Sequence, residues 1–238
     1  MLNFKNNVKT CFNNAASTYD DNCNVQLEVG LELINQLVQL DTNYSDIIDL
    51  GCGTGIVTKK LVKQFPKASF HAIDIACHLL KIAQNRLAEN NVNVYERDFD
   101  NLSKAQFELA FANMSLQWSV FLPKSFISIR NSLKENGILA FSLPLIGTFS
   151  ELPKESKMEF LEQRDTLKLL EQAGFINIYT SVSIIRLEFP SFLTALKSIK
   201  AAGANALKSN SSSLLKFKDH QNSFFLTYKI GLFIAKKI

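Results

Sequence analysis

Three glycines at alternate positions, Gly51, Gly53 and Gly55, follow Asp49 in the run Ile47-Ile48-Asp49-Leu50-Gly51-Cys52-Gly53-Thr54-Gly55. An apolar run ending in an acid reads as a buried strand, and Ile56 to Val62 resumes with helical spacing. Such a strand, glycine turn and helix let the backbone turn sharply and let a ligand approach the main chain, because glycine has no Cβ. The spacing is not the dinucleotide pattern G-x-G-x-x-G, and no Lys-Ser or Lys-Thr follows as in a phosphate-binding loop. The residues form D-x-G-x-G-x-G instead.

A second acid supports a ligand at this place. Ser69 to Ile73 reads as the next strand and ends at Asp74, about 20 residues beyond the glycines, where a Rossmann-like sheet sets a carboxylate for ribose hydroxyls. A third strand, Val92 to Tyr95, leads into Asp98 and Phe99, and a fourth, Phe107 to Ala112, opens onto Asn113-Met114-Ser115-Leu116-Gln117-Trp118. The glycine pattern resembles the first motif of class I S-adenosylmethionine (SAM)-dependent methyltransferases. The resemblance implies SAM as cofactor, with Asp49, Gly51, Cys52, Gly53 and Gly55 at the turn and Asp74 and Ile75 at the ribose. It also puts Asp98 near the adenine amino group, Phe99 against the ring and Asn113 in the loop facing the methyl group. Cys52 by itself reads as a small buried side chain.

Composition excludes several other roles. The 238 residues are 47% hydrophobic and 11% aromatic, enough for one large core. Cys11, Cys23, Cys52 and Cys77 form no C-x-x-C pair, and with three histidines no metal cluster at ligand spacing is expected. A reducing, cytoplasmic setting suits such a chain. The first residues lack the apolar core of a signal peptide, and no apolar run reaches the roughly 18 residues of a membrane span. A net charge of +4 is too mild for a nucleic-acid argument yet suits an acidic protein partner.

The remaining elements must bring these residues to one crevice. Residues 1–40 are expected to form a lid and a helix with Val25, Val29, Ile34, Leu37 and Val38 on its apolar side, Tyr19 reaching into the crevice. Cys77 to Asn90 reads as a helix, as does Leu122 to Glu135, broken near its start by Pro123 and capped by Asn136-Gly137; Ile138 to Leu143 is the fifth strand. Helices between strands mean a parallel sheet with right-handed crossovers. Beyond Pro144 the pattern gives a helix from Phe160 to Ala173, a strand from Phe175 to Val182 and an insertion from Ile185 to Ser213. That insertion holds a helix, Pro190 to Ala202, and a polar loop, Lys208 to Ser213; an apolar strand from Ser223 to Ala235 closes the chain. The expected architecture is α/β and Rossmann-like, a seven-stranded, mostly parallel sheet with one antiparallel strand, an N-terminal lid and a small cap insertion. One domain spans 1–238, with a SAM-binding half at 45–143 and a substrate-side half at 144–238 whose insertion covers about 185–220.

Three more stretches sharpen the family. Phe12-Asn13-Asn14-Ala15-Ala16-Ser17-Thr18-Tyr19-Asp20, the loop Asn113 to Trp118, and Leu196 to Ala204 resemble the malonyl-acyl carrier protein O-methyltransferases, as do Gly147 to Leu152 and Leu226-Thr227-Tyr228. The resemblance implies methylation of the free carboxylate of a malonyl thioester, in the pathway to biotin. A carboxylate is ionised at pH 7 and needs no general base, so orienting groups are expected: Tyr19, Asn113, Gln117 and Trp118. Arg164 and Lys200 are the candidates for a cation holding the carboxylate, and Lys197, Lys200 and Lys208 for steering an acidic carrier protein. Two alternatives stay open: a class I methyltransferase of another small acid or metabolite, and a non-catalytic SAM-fold binding protein. The absence of an N-P-P-Y tetrad and of an aromatic-basic stripe disfavours a nucleic-acid methyltransferase.

Overall fold

Successive side chains of a strand point to opposite faces, so β1 (Asp46–Leu50) sends Ile47 into one core layer and Ile48 into the other. This computed structural model describes residues 2–40, 43–102, 104, 107–153, 159–204 and 223–238. The Ile47 layer packs on α3 (Asn24–Val38) and α4 (Ile56–Gln64), through Val29, Leu33, Leu37 and Leu61. The Ile48 layer packs on α6 (Leu122–Ser132) and α7 (Gln163–Gln172), through Phe126, Ile129 and Leu170. Both faces of the central strands are therefore dry, which is why they read as continuous apolar runs.

The sheet is completed by β2 (Ser69–Asp74), β3 (Val92–Glu96), β4 (Phe107–Asn113), β5 (Leu133–Pro144), β6 (Phe175–Phe189) and β7 (Phe224–Lys237), with α5 (Cys77–Leu87) between β2 and β3. Strand order is β3-β2-β1-β4-β5-β7-β6. The strands from β3 to β5 pair in parallel, and β7 alone runs antiparallel, between β5 and β6. The expected seven-stranded sheet with one reversed strand is what forms. Chain order reverses between β1 and β4, and the crevice outside their carboxyl ends is where ligands bind in such sheets.

Several boundaries differ from the sequence reading. The helix after β4 stops at Ser132, and residues 133–144 are all strand. Pro123 sits in the first turn of α6, where its missing N–H costs nothing, and does not break the helix. Gly137 is no helix cap: the pairing of β4 with β5 jumps from Phe107↔Leu133 to Leu109↔Ile138, and Asn136 takes φ 63° inside that bulge. The strand β6 runs on to Phe189, paired with β7 throughout, so the region from Ile185 is sheet and not insertion. Helix α8 (Phe192–Ala201) comes directly after it, opened by a capping box of Ser191 and Thr194. The N-terminal segment is helical, as α1 (Leu2–Ala15) and the single turn α2 (Tyr19–Asn22). Val38, expected on the apolar side of α3, is 45% exposed at its end. The tract 208–213 lies outside the described residues, as does 154–158.

Among the described residues no helix is long and apolar enough to cross a membrane. The reversed strand is fixed by packing as well as by hydrogen bonds. Phe233 of β7 stacks on Phe141 of β5 at 4.9 Å and is fully buried, and Gly231 leaves room for its ring, since a Cβ there would stand 2.6 Å from it. Phe233→Ala should cost about 3–5 kcal/mol of stability by urea denaturation, the range for truncating a buried aromatic. A loss under about 1 kcal/mol would mean that the neighbouring side chains fill the site.

Candidate active site

The turn after β1 is built from left-handed glycines, with φ 78° at Gly51, 57° at Gly53 and 73° at Gly55. The N–H groups of Gly51 and Cys52 donate to the Ile73 carbonyl, which binds the turn to the end of β2. Close packing keeps it compact: a Cβ on Gly51 would stand 2.6 Å from that of Ser115, whose hydroxyl donates to the Leu50 carbonyl at 2.5 Å. At the end of β2, the Asp74 carboxylate accepts from the N–H of Gly53 at 2.9 Å and of Ala76 at 2.8 Å. Burial raises its pKa, and these backbone donors oppose the rise.

Two clefts meet at the carboxyl ends of the strands. The first has Gly51, Gly53, Asp74, Ile75 and Phe99 along its walls. The second lies toward α8 and is bounded by Gln26, Gln117, Thr148, Phe149 and Tyr228. Phe12, Tyr19, Met114 and Trp118 border both. Phe12 meets Trp118 edge-on at 5.5 Å and lies 6.3 Å from the Tyr19 ring, so an aromatic cluster stands where the clefts join.

Two of that cluster's three rings, Phe12 and Tyr19, come from the N-terminal segment, which is tied down at several points, Lys9 to Glu96 among them. Lys5 reaches Asp98 and Asp100, each at 2.8 Å, and lies 4.4 Å from the Phe99 ring centre. Burial would raise the Asp100 carboxyl, but hydrogen bonds from Lys5, Ser125 and the Val120 N–H outweigh it and hold the group below the usual range. The Asn13 side chain accepts from the His78 N–H at 2.9 Å, at the start of α5. Asp20 accepts from Thr54 Oγ1 at 2.6 Å and pairs with Arg86, which also donates to the Thr54 carbonyl at 2.7 Å. This last network joins α2, which begins at Tyr19, directly to the glycine turn.

Known proteins share this chain's sequence and fold to different degrees. The family described as a methyltransferase domain matches residues 41–180. Malonyl-[acyl-carrier protein] O-methyltransferase 2 of Coxiella burnetii is 37% identical over 98% of this chain and 97% of its own length. This chain belongs to the malonyl-[acyl-carrier protein] O-methyltransferase family. It is also 37% identical to the enzyme of that name from Priestia megaterium, over 64% of this chain and 56% of the relative. The fold is shared more widely. The YcgJ protein of Bacillus subtilis superposes with a TM-score of 0.65 at 11% identity, over 87% of this chain and 98% of its own. Phosphoethanolamine N-methyltransferase 2 of Haemonchus contortus does so with a TM-score of 0.56 at 16% identity, over 82% and 49%.

Within this family member the sequence candidates separate into groups. Gly51, Gly53, Asp74, Ile75, Phe99 and Asn113 border the first cleft, Gln117 the second, and Tyr19 and Trp118 both. Gly55 opens α4 and faces α5, where a Cβ would stand 3.0 Å from Leu87. Cys52 is buried with Ala72 and Leu80. Asp98 caps the short turn at Phe99–Asn101 and holds Lys5. Asn113 is already committed, its Nδ2 donating to the Gln26 carbonyl at 2.8 Å and its Oδ1 accepting from Ser142 at 2.9 Å. Arg164 is not brought to the clefts. It is 73% exposed and pairs with Glu162 at 2.8 Å on another surface, because the first turn of α7 carries its own carboxylates. Lys197 and Lys200 border a groove outside the second cleft, beside Cys11, Asn14 and Thr18, and Lys208 lies outside the described residues. Lys5, Gln26, Arg86 and Tyr228 escaped the sequence reading as site residues. Arg86 meets Asp20 across 66 residues, a pairing no local pattern signals.

Asp49 lies behind the turn, fully enclosed, accepting from Thr58 Oγ1 at 2.6 Å. Burial pushes its carboxyl up to about 7 against the opposing Thr58 hydrogen bond. A raised folded-state pKa means that the native protein holds a proton which the unfolded chain has released, so stability falls as pH rises from about 4 to about 7. Asp49→Asn, which can still accept from Thr58, should therefore gain on the wild type by on the order of 1–4 kcal/mol between pH 5 and pH 8. Denaturant titrations at the two pH values read this directly, and an unchanged difference would refute the shift.

Proposed function

We propose that this chain transfers the methyl group of SAM to the free carboxylate of a malonyl thioester carried on acyl carrier protein, forming the methyl ester. The observation that carries the reading is the pair of clefts sharing Phe12, Tyr19, Met114 and Trp118, one edged by glycines and an acid, the other by uncharged side chains. Full-length similarity to the Coxiella burnetii enzyme of that name supports it. SAM fits the first cleft: the Cβ-free turn admits an adenosyl group to the backbone, and Asp74, holding two N–H donors, has lone pairs left for ribose hydroxyls. Phe99 offers a flat apolar surface for the base. When bound, SAM supplies a methyl group activated by its sulfonium.

The second cleft accepts the acyl group. One carboxylate oxygen forms the new O–CH3 bond as the C–S bond breaks toward sulfur, and no proton moves. The protein's part is alignment and exclusion of water, whose effective-molarity advantage reaches about 7–11 kcal/mol. Phe12, Tyr19 and Trp118 do both at the junction. Burial raises the Tyr19 pKa, so its hydroxyl stays protonated and serves as a donor and not as a base.

Helix α8 turns Ile199 to the second cleft and Lys197 and Lys200 to the groove beside α1. An acidic carrier protein docking there would send its acyl arm past α8 into the cleft, steered by those lysines. The deciding assay is mass spectrometry after incubation with SAM and malonyl-acyl carrier protein, acetyl-acyl carrier protein or malonyl-CoA. A gain of one methyl on malonyl substrates alone is expected, and its absence would shift the reading to another small acid. Lys197→Glu with Lys200→Glu should raise KM for malonyl-acyl carrier protein about tenfold or more and leave malonyl-CoA nearly unchanged. Equal effects on both would place the lysines at the acyl group.

A further inference from the structure

A carboxylate has to be held in the second cleft, yet none of the described residues lining it is Lys, Arg or His. Its polar side chains are neutral, and two of them, Thr148 and Gln117, are already committed. Thr148 donates to the Lys229 carbonyl at 2.9 Å and accepts from the Lys229 N–H at 3.0 Å. Gln117 donates to the Met114 carbonyl at 2.7 Å, and its buried Oε1 is an acceptor, the wrong polarity for an anion. Among the described residues the side chains of Tyr19, Trp118, Tyr228 and Gln26 have no hydrogen-bond partner; Tyr19 and Trp118 stand at the junction of the two clefts, whereas Tyr228 and Gln26 border the second alone.

Tyr228 is also the better fixed of the two. Its neighbour Thr227 donates through N–H and hydroxyl to Glu151, at 3.1 and 2.5 Å, and accepts from the Phe149 N–H at 2.6 Å. The Phe149 ring meets the Tyr228 ring edge-on at 4.9 Å. Phe149 takes φ 55°, a strained conformation for a non-glycine residue, and these bonds to β7 hold it there. The stitch between Gly147–Leu152 and β7 thus presents one phenol to the cleft. Burial pushes that hydroxyl up to about 12, so it remains a donor.

We propose that Tyr228, with Gln26 as a second neutral donor, holds the substrate carboxylate in the second cleft. The inference rests on the carboxyl-methylation reading and names its specificity-determining side chains. The charge logic favours neutral donors. The carboxylate loses its negative charge as the ester forms, so a contacting lysine or arginine would stabilise the starting state more than the transition state. A hydroxyl and an amide orient the anion with a weaker version of that penalty. They also select against an acetyl group, which leaves the donors unpaired in an apolar cleft.

The test is calorimetric binding of malonyl-pantetheine and acetyl-pantetheine to the protein saturated with S-adenosylhomocysteine, so that nothing turns over. Wild type should prefer malonyl-pantetheine by about tenfold or more, and Tyr228→Phe should lose most of that preference while binding acetyl-pantetheine and S-adenosylhomocysteine as before. In turnover the same variant should raise KM more than it lowers kcat. Gln26→Leu, which keeps the main-chain contact to Asn113, provides an independent variant with a smaller loss of preference. A Tyr228→Phe protein that keeps the wild-type preference would overturn the assignment and leave carboxyl methylation standing. A wild type indifferent to the carboxylate would overturn both.

Discussion

The backbone reversal between β1 and α4 is the constraint on which the rest depends. Three left-handed residues within five positions can be met cheaply only by glycine, and the turn must also nest against Ser115 on one side and α5 on the other. Any Cβ at Gly51 collides with the loop after β4, so the turn and that loop are shaped against each other. Because Asp74 accepts from Gly53, the end of β2 joins the same unit. Three strand ends are thereby held at one crevice before any ligand arrives.

The N-terminal segment completes this unit from outside the sheet. Its ties use different chemistry: lysines on carboxylates, Lys5 on two and Lys9 on Glu96, an asparagine accepting at a helix start, and an aspartate bridging Thr54 and Arg86. Each is polar and partly exposed, so each is individually weak beside core packing. Their combined effect is to hold Phe12 and Tyr19 at the junction of the clefts while leaving the segment free of the main apolar layers. Gly203 contributes from the end of α8, packed so closely that a Cβ would stand 2.4 Å from the Phe12 ring. Thr18 Oγ1 also donates to the Ala201 carbonyl at 3.1 Å, so the cap and the N-terminal segment pack together and displacement of either disturbs the aromatic junction.

Charge is distributed unevenly around the clefts. Acids gather near the first, at Asp49, Asp74, Asp98 and Asp100, while the described lining of the second is uncharged. Lysines stand outside the second cleft, on the far face of α8. A positively charged donor and an anionic acceptor thus meet in a place where the protein adds little charge of its own. Transfer between oppositely charged partners disperses charge, and an apolar setting favours that change over water.

By itself the sequence determined the local chemistry. The strand–glycine–helix unit, the strand ends at Asp74 and Asn113, and the apolar last strand were legible because they rest on glycine conformation and apolar periodicity within short windows, whereas which strand is reversed was not. The boundaries at Ser132 and Phe189 were not, since a bulge and a long antiparallel pairing are decided by the partner strand. Nor were the pairings of Lys5, Arg86 and Glu151, whose partners lie 66 to 95 residues away in the chain and meet only after the sheet has formed. Tertiary structure alone decided that Arg164 faces solvent among its own carboxylates, that Asn113 spends its amide on α3 and β5, and that Tyr228 is left free to donate. Residue type sets what a side chain can do, but the neighbours that use up its hydrogen bonds, or leave them open, are assembled by the fold.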